Sequence, residues 1–211
     1  MALMNVNPTR MELTRLKKRL KTAVRGHKLL KDKRDEMMRR FVQLIRENAK
    51  LREAVEKELS RALGEFALCR GFMEPEALEQ AVMYPARTIS LEVGRRNIMS
   101  VDVPKIDAQA SEPVLSYGFA QTSAQLDGAI ARLAEIMPEM IRLAEIEKTC
   151  NMLADEIEKT RRRVNALEYV MIPDLEETIR YITMKLDENE RGSLTRLMKV
   201  KDMIAERDQA G

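Results

Sequence analysis

Tryptophan is absent from the chain, and aromatic residues make up only 4% of it. With so few large rings, a thick globular core is excluded. One histidine and two distant cysteines, Cys69 and Cys150, cannot assemble any usual zinc ligand set. Both cysteines fall at core-like helical positions, so they read as buried free thiols in a reducing cytosol. No pair of glycines has the spacing of a phosphate-binding loop. Serines and threonines have no nearby histidine to activate them, and the many carboxylates alternate with Lys and Arg as on a solvated helix face. No enzymatic site, cofactor or metal is expected. Nor does any apolar run approach the roughly 18 residues of a membrane span. Met1 to Arg10 is polar and contains Pro8, which is no secretory signal. A soluble cytoplasmic protein is the expectation.

What is present is charge and helical periodicity. Charged residues are 34% of the chain, and Met reaches 15. From Leu13, steps of three and four residues read Leu16, Leu20, Ala23, His27, Leu30, Arg34, Met37, Phe41, Leu44, Asn48 and Leu51. After one four-four step, Val55 and Leu59 lead on through Ala62, Phe66, Cys69 and Met73. A 3.5-residue repeat held this long makes a left-handed coiled-coil seam, and the four-four step is a stutter that locally unwinds it. His27, Arg34 and Asn48 are its isolated polar positions. The spacing predicts one helix over 7–73, about 100 Å long at 1.5 Å per residue. Asn7 is its expected cap with Pro8 at the first helical position, and Gly71 followed by Pro75 its expected stop.

Glu76 to Met83 reads as a short helix closed by Tyr84-Pro85. Within the middle segment, 74–121, the period then changes to two. Ile89, Leu91 and Val93 alternate with polar residues, and so do Met99, Val101 and Val103. Gly94-Arg95-Arg96-Asn97 between them reads as a turn, which predicts a β-hairpin over 88–104. Residues 105–121 read as an irregular return containing Pro113. A second long helix is predicted over 122–208. Its seam runs through Leu126, Ile130, Leu133, Met137, Met140, Cys150, Leu153, Ile157, Thr160, Val164, Leu167 and Met171. Beyond these come Leu175, Ile179, Ile182, Leu186, Leu194, Leu197 and Ile204. Pro138 and Pro173 are expected to bend it, and Gly192-Ser193 to weaken it. The economical fold is all-α dominated: a single elongated domain in which two long helices form an antiparallel left-handed coiled coil. The short β-hairpin is expected at the end opposite the termini.

Net charge is +3, yet Arg10 to Arg40 holds thirteen Lys or Arg against four Asp or Glu, a local +9. Arg10, Arg15, Lys17, Lys18, Arg19, Lys21, Arg25 and Lys28 are therefore candidate contacts for an acidic partner. The same residues also suit the solvated outer face of a coiled coil. A nucleic-acid-binding rod is disfavoured, because no aromatic side chains for stacking interleave with them.

Particular blocks carry a family resemblance. Asn7-Pro-Thr-Arg-Met-Glu-Leu-Thr-Arg-Leu-Lys-Lys18 and Arg25-Gly-His-Lys-Leu-Leu-Lys-Asp-Lys-Arg-Asp-Glu36 resemble the start of the D subunit of the V-type rotary ATPases. So do Asn97-Ile-Met-Ser-Val-Asp-Val-Pro104, Glu158-Lys-Thr-Arg-Arg-Arg-Val-Asn-Ala-Leu-Glu168, Ile172-Pro173 and Leu186-Asp-Glu-Asn-Glu-Arg191 resemble later parts of it. The resemblance is to a bacterial member of a proton- or sodium-pumping class. It implies a central-stalk rotor that carries torque between a ring of catalytic A and B subunits and a membrane rotor. The implied partners are that ring, a small F subunit on the stalk and a funnel-shaped adaptor. ATP sits in the ring, so the chain itself binds no nucleotide, and neither nucleic acid nor lipid is an expected ligand. The chain is then a non-catalytic subunit, peripheral to the membrane. Arg161, Arg162, Arg163, Asn165 and Glu168 are carried over as a shaft segment, and Asn97, Ile98, Met99, Val101 and Val103 as hairpin contacts. A cytosolic coiled-coil scaffold remains the rival, with the nucleic-acid rod behind it.

Overall fold

The computed structural model of the chain describes residues 6–84, 88–111, 115–118 and 122–209. Its elements are α1 (Arg10–Phe72), α2 (Pro75–Met83), β1 (Ile89–Ile98), β2 (Val101–Ala110), α3 (Ala124–Ala166), a π-helical turn (Leu167–Met171) and α4 (Ile172–Gln209). Long helices with one two-stranded antiparallel sheet confirm the expected class. The chain divides into two compact units. A terminal unit joins Met1–Asp35 to Glu158–Gly211, and a middle unit is Glu36–Ile157.

The ends of α1 differ from expectation. Thr9, not Asn7, caps it: the Thr9 hydroxyl accepts the Glu12 N–H at 3.2 Å. This satisfies one of the first-turn donors that every helix leaves open. Pro8 thus precedes the helix. At the other end, α1 runs through Gly71, which has no positive φ. The break is set by Pro75, whose fixed φ and missing N–H suit the first position of α2. Of the expected Tyr84-Pro85 stop, Pro85 lies outside the described residues, as does Pro113.

In the terminal unit, α1 and α4 are antiparallel. Buried Leu16 and Ala23 meet Leu175 and Ile182, with Leu13, Leu20, Leu167, Ile172, Ile179 and Leu186 packed round them. Arg10 pairs with Glu190, while His27 lies beside Glu168. The predicted seam slips here by one residue. Met171 is exposed, and Ile172 takes its place against the core. The cause is the π-turn: the Ile172 N–H bonds the Leu167 carbonyl five residues back, which inserts one residue into the helical register. Pro173 follows directly, so the slip sits where a normal helical hydrogen bond is already missing. α4 continues through Gly192-Ser193 without a break. Leu194, Leu197 and Ile204, expected on the seam, are instead exposed. α1 begins at Arg10, whose partner on α4 is Glu190, so no residue of α1 is left to cover them.

The middle unit repeats the antiparallel pairing of α1, now with α3. Val55 and Ala62 pack with Ile136, Leu133 and Leu143, and Cys69 packs with Leu126. Arg52 pairs with Glu147 at 3.5 Å and Glu65 with Arg132 at 3.0 Å. α3 is continuous through Pro138. Where α1 gives way to α2, Leu78 and Ala81 close a small core with Cys69 and Leu126. The Tyr117 hydroxyl ties the return segment to this core by donating to Asp127 at 2.6 Å.

The hairpin is longer than predicted and its turn lies elsewhere. β1 and β2 pair from Ile89↔Ala110 to Ile98↔Val101, so the turn is Met99-Ser100 and Gly94 to Asn97 are strand. Residues 105–110, expected to be irregular, belong to β2. Both turn residues have positive φ, 52° and 71°, the geometry that matches the twist of a two-residue hairpin. Asn97 secures it: its side chain accepts the Ser100 N–H at 3.0 Å and donates to Asp102 at 2.7 Å. Pro104 is tolerated opposite Arg95. Counting the alternation from the closing pair, that is a non-hydrogen-bonded position that needs no donor. The hairpin is not placed at the end of the helix pair. Val101 and Val103 are buried against Phe41, Leu44 and Leu153, so the turn region lies against the flank of α1 and α3. Glu145 on α3 accepts the Ile106 N–H at 3.1 Å, holding an otherwise open sheet edge.

Candidate interaction surfaces

The predicted basic contacts, Arg10, Arg15, Lys17, Lys18, Arg19, Lys21, Arg25 and Lys28, are all on α1 and all exposed. Seam residues Leu16 and Ala23 face inward between them and hold the helix in place. Arg10 reaches Glu190 at 3.5 Å and Arg15 reaches Glu12 at 3.3 Å. Among the described residues, the other six make no ion pair within the chain. Elsewhere on the helices, cations are commonly neutralised along one face, as in Arg40–Glu36, Arg52–Glu56 and Arg61–Glu58. The positive field of the basic stretch is therefore left largely uncompensated among the described residues.

The second predicted block is a mixture. Arg161 and Asn165 are exposed, and Arg162 pairs with Glu158 on its own helix. Glu168 is drawn to His27, with Nε2 to Oε2 3.4 Å. The three polar seam positions are handled differently. His27 has Glu168, Arg34 has Asp35 at 2.8 Å, and the buried Asn48 Oδ1 has no hydrogen-bond partner among the described residues.

The hairpin residues expected as partner contacts are mostly engaged within the chain. Ile98, Val101 and Val103 pack on α1 and α3, Met99 and Ser100 form the turn, and Asn97 bonds across it. The reason is alternation: apolar residues of the turn half lie on the face that meets the helices. Leu91 and Val93 on β1 are the hairpin's exposed apolar residues. Beside it, a groove of about 500 Å³ is lined by Leu44, Arg96, Ile106, Ile141, Arg142 and Glu145 among others.

Sequence reasoning missed two surfaces. The first is Leu194 to Ile204, where Leu194, Leu197, Met198, Val200, Met203 and Ile204 are all exposed. At about 100° per residue these six spread over more than half of the helix circumference, with Arg196, Lys199, Lys201 and Asp202 set among them, where a single docking stripe would occupy one side. The signal was present as extra apolar positions beside the seam. The second is the end of the middle unit, where Leu68, Phe72, Val82, Met83 and Tyr84 are exposed together. Among the described residues, no group of His, Cys, Asp or Glu is placed to hold a metal ion, and no helix is long and apolar enough to cross a membrane. Cys69 and Cys150 are free and buried, and burial pushes the Cys150 thiol up from its ordinary pKa, helped by Glu147 and Glu47.

Known proteins are similar to this chain over nearly its whole length. The family model for the ATP synthase D subunit matches residues 12–202. The D subunit of the V-type ATP synthase of Acetivibrio thermocellus is 60% identical over 98% of this chain and 95% of its own length. Its namesakes in Clostridium botulinum (strain Langeland) and Clostridium novyi are 59% and 57% identical, covering 97% and 100% of both partners in each case. A family model that spans most of the chain and relatives similar over nearly its whole length lead to one conclusion: the chain belongs to the family of ATP synthase D subunits, alongside the V-type members of bacteria.

Proposed function

We propose that this subunit is the central rotor shaft of a V-type rotary ATPase, a non-catalytic part of a complex that couples ATP turnover to proton or sodium transport. The observation that carries the reading is the stretch Leu194–Ile204, where six large apolar residues are exposed among Arg196, Lys199, Lys201 and Asp202 and α1 does not cover them. So many exposed large apolar side chains on one short stretch favour a protein partner that covers them. A ring of A and B subunits around it supplies that partner, and an acidic lining suits the six unpaired cations of α1. The apolar end at Phe72 and Tyr84 suits a funnel-shaped adaptor toward the membrane rotor, and the small F subunit takes a place along the helices.

The mechanics need no chemistry on this chain. Two unlike antiparallel helices have no three-fold symmetry, so within a three-fold ring they meet the three catalytic interfaces differently at any instant. Turning them exchanges those contacts in order. Coupling is then a difference in contact free energy among ring states. A static scaffold through the ring is the alternative to eliminate. After Cys69→Ala and Cys150→Ala, a Glu177→Cys variant would be disulfide-bonded to a facing cysteine in the ring. Binding of nucleotide should survive, steady-state hydrolysis should stop, and reduction should restore it. Full-rate hydrolysis by the verified cross-linked complex would refute rotation.

A further inference from the structure

The π-turn presents Tyr169, Val170 and Met171, three successive apolar residues exposed by 69%, 58% and 42%. Successive α-helical positions point about 100° apart, and π-helical ones somewhat less, so the three fan across much of the helix circumference. A single partner helix packs along one stripe and leaves part of such a fan in water. The one carboxylate in the turn, Glu168, is drawn to His27, which leaves the fan apolar. Pro173 brings no N–H, and the Ile172 N–H is taken by the Leu167 carbonyl. At least one carbonyl of Glu168 or Tyr169 therefore lacks a helical donor and is available to an external one. Exposed Lys159 and Arg161 supply positive charge on the N-terminal side.

We infer that Tyr169, Val170 and Met171 form a collar on which the inner lip of the catalytic ring bears. This rests on the rotor reading above. The occupant is an apolar protein lip with a hydrogen-bond donor for the free carbonyl and carboxylates for Lys159 and Arg161. The π-turn explains the position. By slipping the seam one residue it removes Met171 from the core and turns a packing residue into a contact residue, while Ile172 keeps the core closed.

The test uses the full chain and the purified ring of A and B subunits. Wild type and the triple variant Y169S/V170S/M171S are compared for ring affinity and for the ATP hydrolysis of the assembled complex. The substituted side chains are exposed, so helicity and melting temperature should stay near wild type, while ring affinity should fall at least tenfold. In parallel, Tyr169→Cys on the C69A/C150A background is labelled with a maleimide. The free chain should react fully, and the ring-bound chain should be protected at least tenfold. Should wild type fail to bind the ring, the rotor reading falls and the collar with it. Wild-type binding with undiminished affinity of the triple variant, or full labelling of Tyr169→Cys in the bound complex, would overturn the collar and leave the rotor reading standing. The labelling arm decides the matter if the triple variant folds poorly.

Discussion

The terminal and middle units use the same helix α1 and yet are built to opposite ends. The terminal unit holds 22 Lys and Arg against 14 Asp and Glu, a net +8, and the middle unit holds 15 against 20, a net −5. The middle unit covers its helices with its own parts: the hairpin lies on Phe41 and Leu44, and α2 closes over Cys69. Among the described residues the terminal unit adds no hairpin or short covering helix to α1 and the run from the end of α3 through α4, and α4 outlasts α1. The middle unit covers most of its helix faces with its own hairpin and α2 and leaves apolar residues open near Phe72 and Tyr84, whereas the terminal unit leaves both cations and apolar side chains uncovered among the described residues.

Truncation gives the largest expected contrast. Leu175 is fully buried in the terminal core, whereas Leu197 is 66% exposed. In the free protein Leu175→Ala should destabilise by about 2–5 kcal/mol, and Leu197→Ala by less than about 0.5 kcal/mol. In the ring-bound protein Leu197→Ala should acquire a cost, read as weaker assembly. Equal effects in the free chain by denaturant unfolding would show that Leu197 already has a partner there.

Charge reversal comes next. Lys18, Arg25 and Lys28 changed together to Glu should weaken ring assembly by about ten- to a hundredfold at low salt, at up to about 1 kcal/mol for each exposed contact. The effect should shrink as salt screens it. Reversing Lys50, Lys57 and Arg70 of the middle unit should leave ring assembly within a factor of two. Salt-independent assembly of both variants would show that the basic face is merely solvated.

The hairpin turn offers a smaller effect in the opposite direction. Met99 and Ser100 are held at positive φ without being Gly or Asn. Met99→Asn with Ser100→Gly should stabilise the middle unit by about 1 kcal/mol, measured as a higher unfolding midpoint. A loss of stability would mean that the Met99 side chain contributes more than its backbone costs.

The smallest effect is a pH dependence confined to the middle unit. Burial, with the hydrogen bond to Asp127, raises the Tyr117 pKa above its ordinary value near 10. The folded state therefore holds this proton more tightly than the unfolded chain. Its contribution is fully present below pH about 10 and is lost as pH rises toward the folded pKa. Tyr117→Phe should cost about 1 kcal/mol at neutral pH and flatten the alkaline decline. An unchanged alkaline profile would place that decline in other groups.

The long seam was legible because its repeat is sustained and nearly unbroken. It predicts two antiparallel helices, and their cores contain Leu16, Ala23, Leu175 and Ile182 as expected. The hairpin was legible by its period of two, but its turn was not. Gly94 to Asn97 has the composition of a turn, while Met99-Ser100 has none of it, and the true turn is decided by cross-strand register and the reach of the Asn97 side chain. The exposed cations of the candidate site were legible as charge, but their lack of partners was not, since pairing depends on which helix faces meet.

Sequence alone determined the helical class, the antiparallel pairing, the existence of a hairpin and the basic terminal stretch. Each follows from periodicity or charge within a single segment. Tertiary structure decided where α1 stops covering α4, which of Met171 and Ile172 enters the core, and which apolar residues are left for a partner. Met171 and Ile172 are both apolar neighbours, so no local pattern ranks them. The inserted residue of the π-turn, next to a proline that has no N–H, selects Ile172 only once α1 is packed against it.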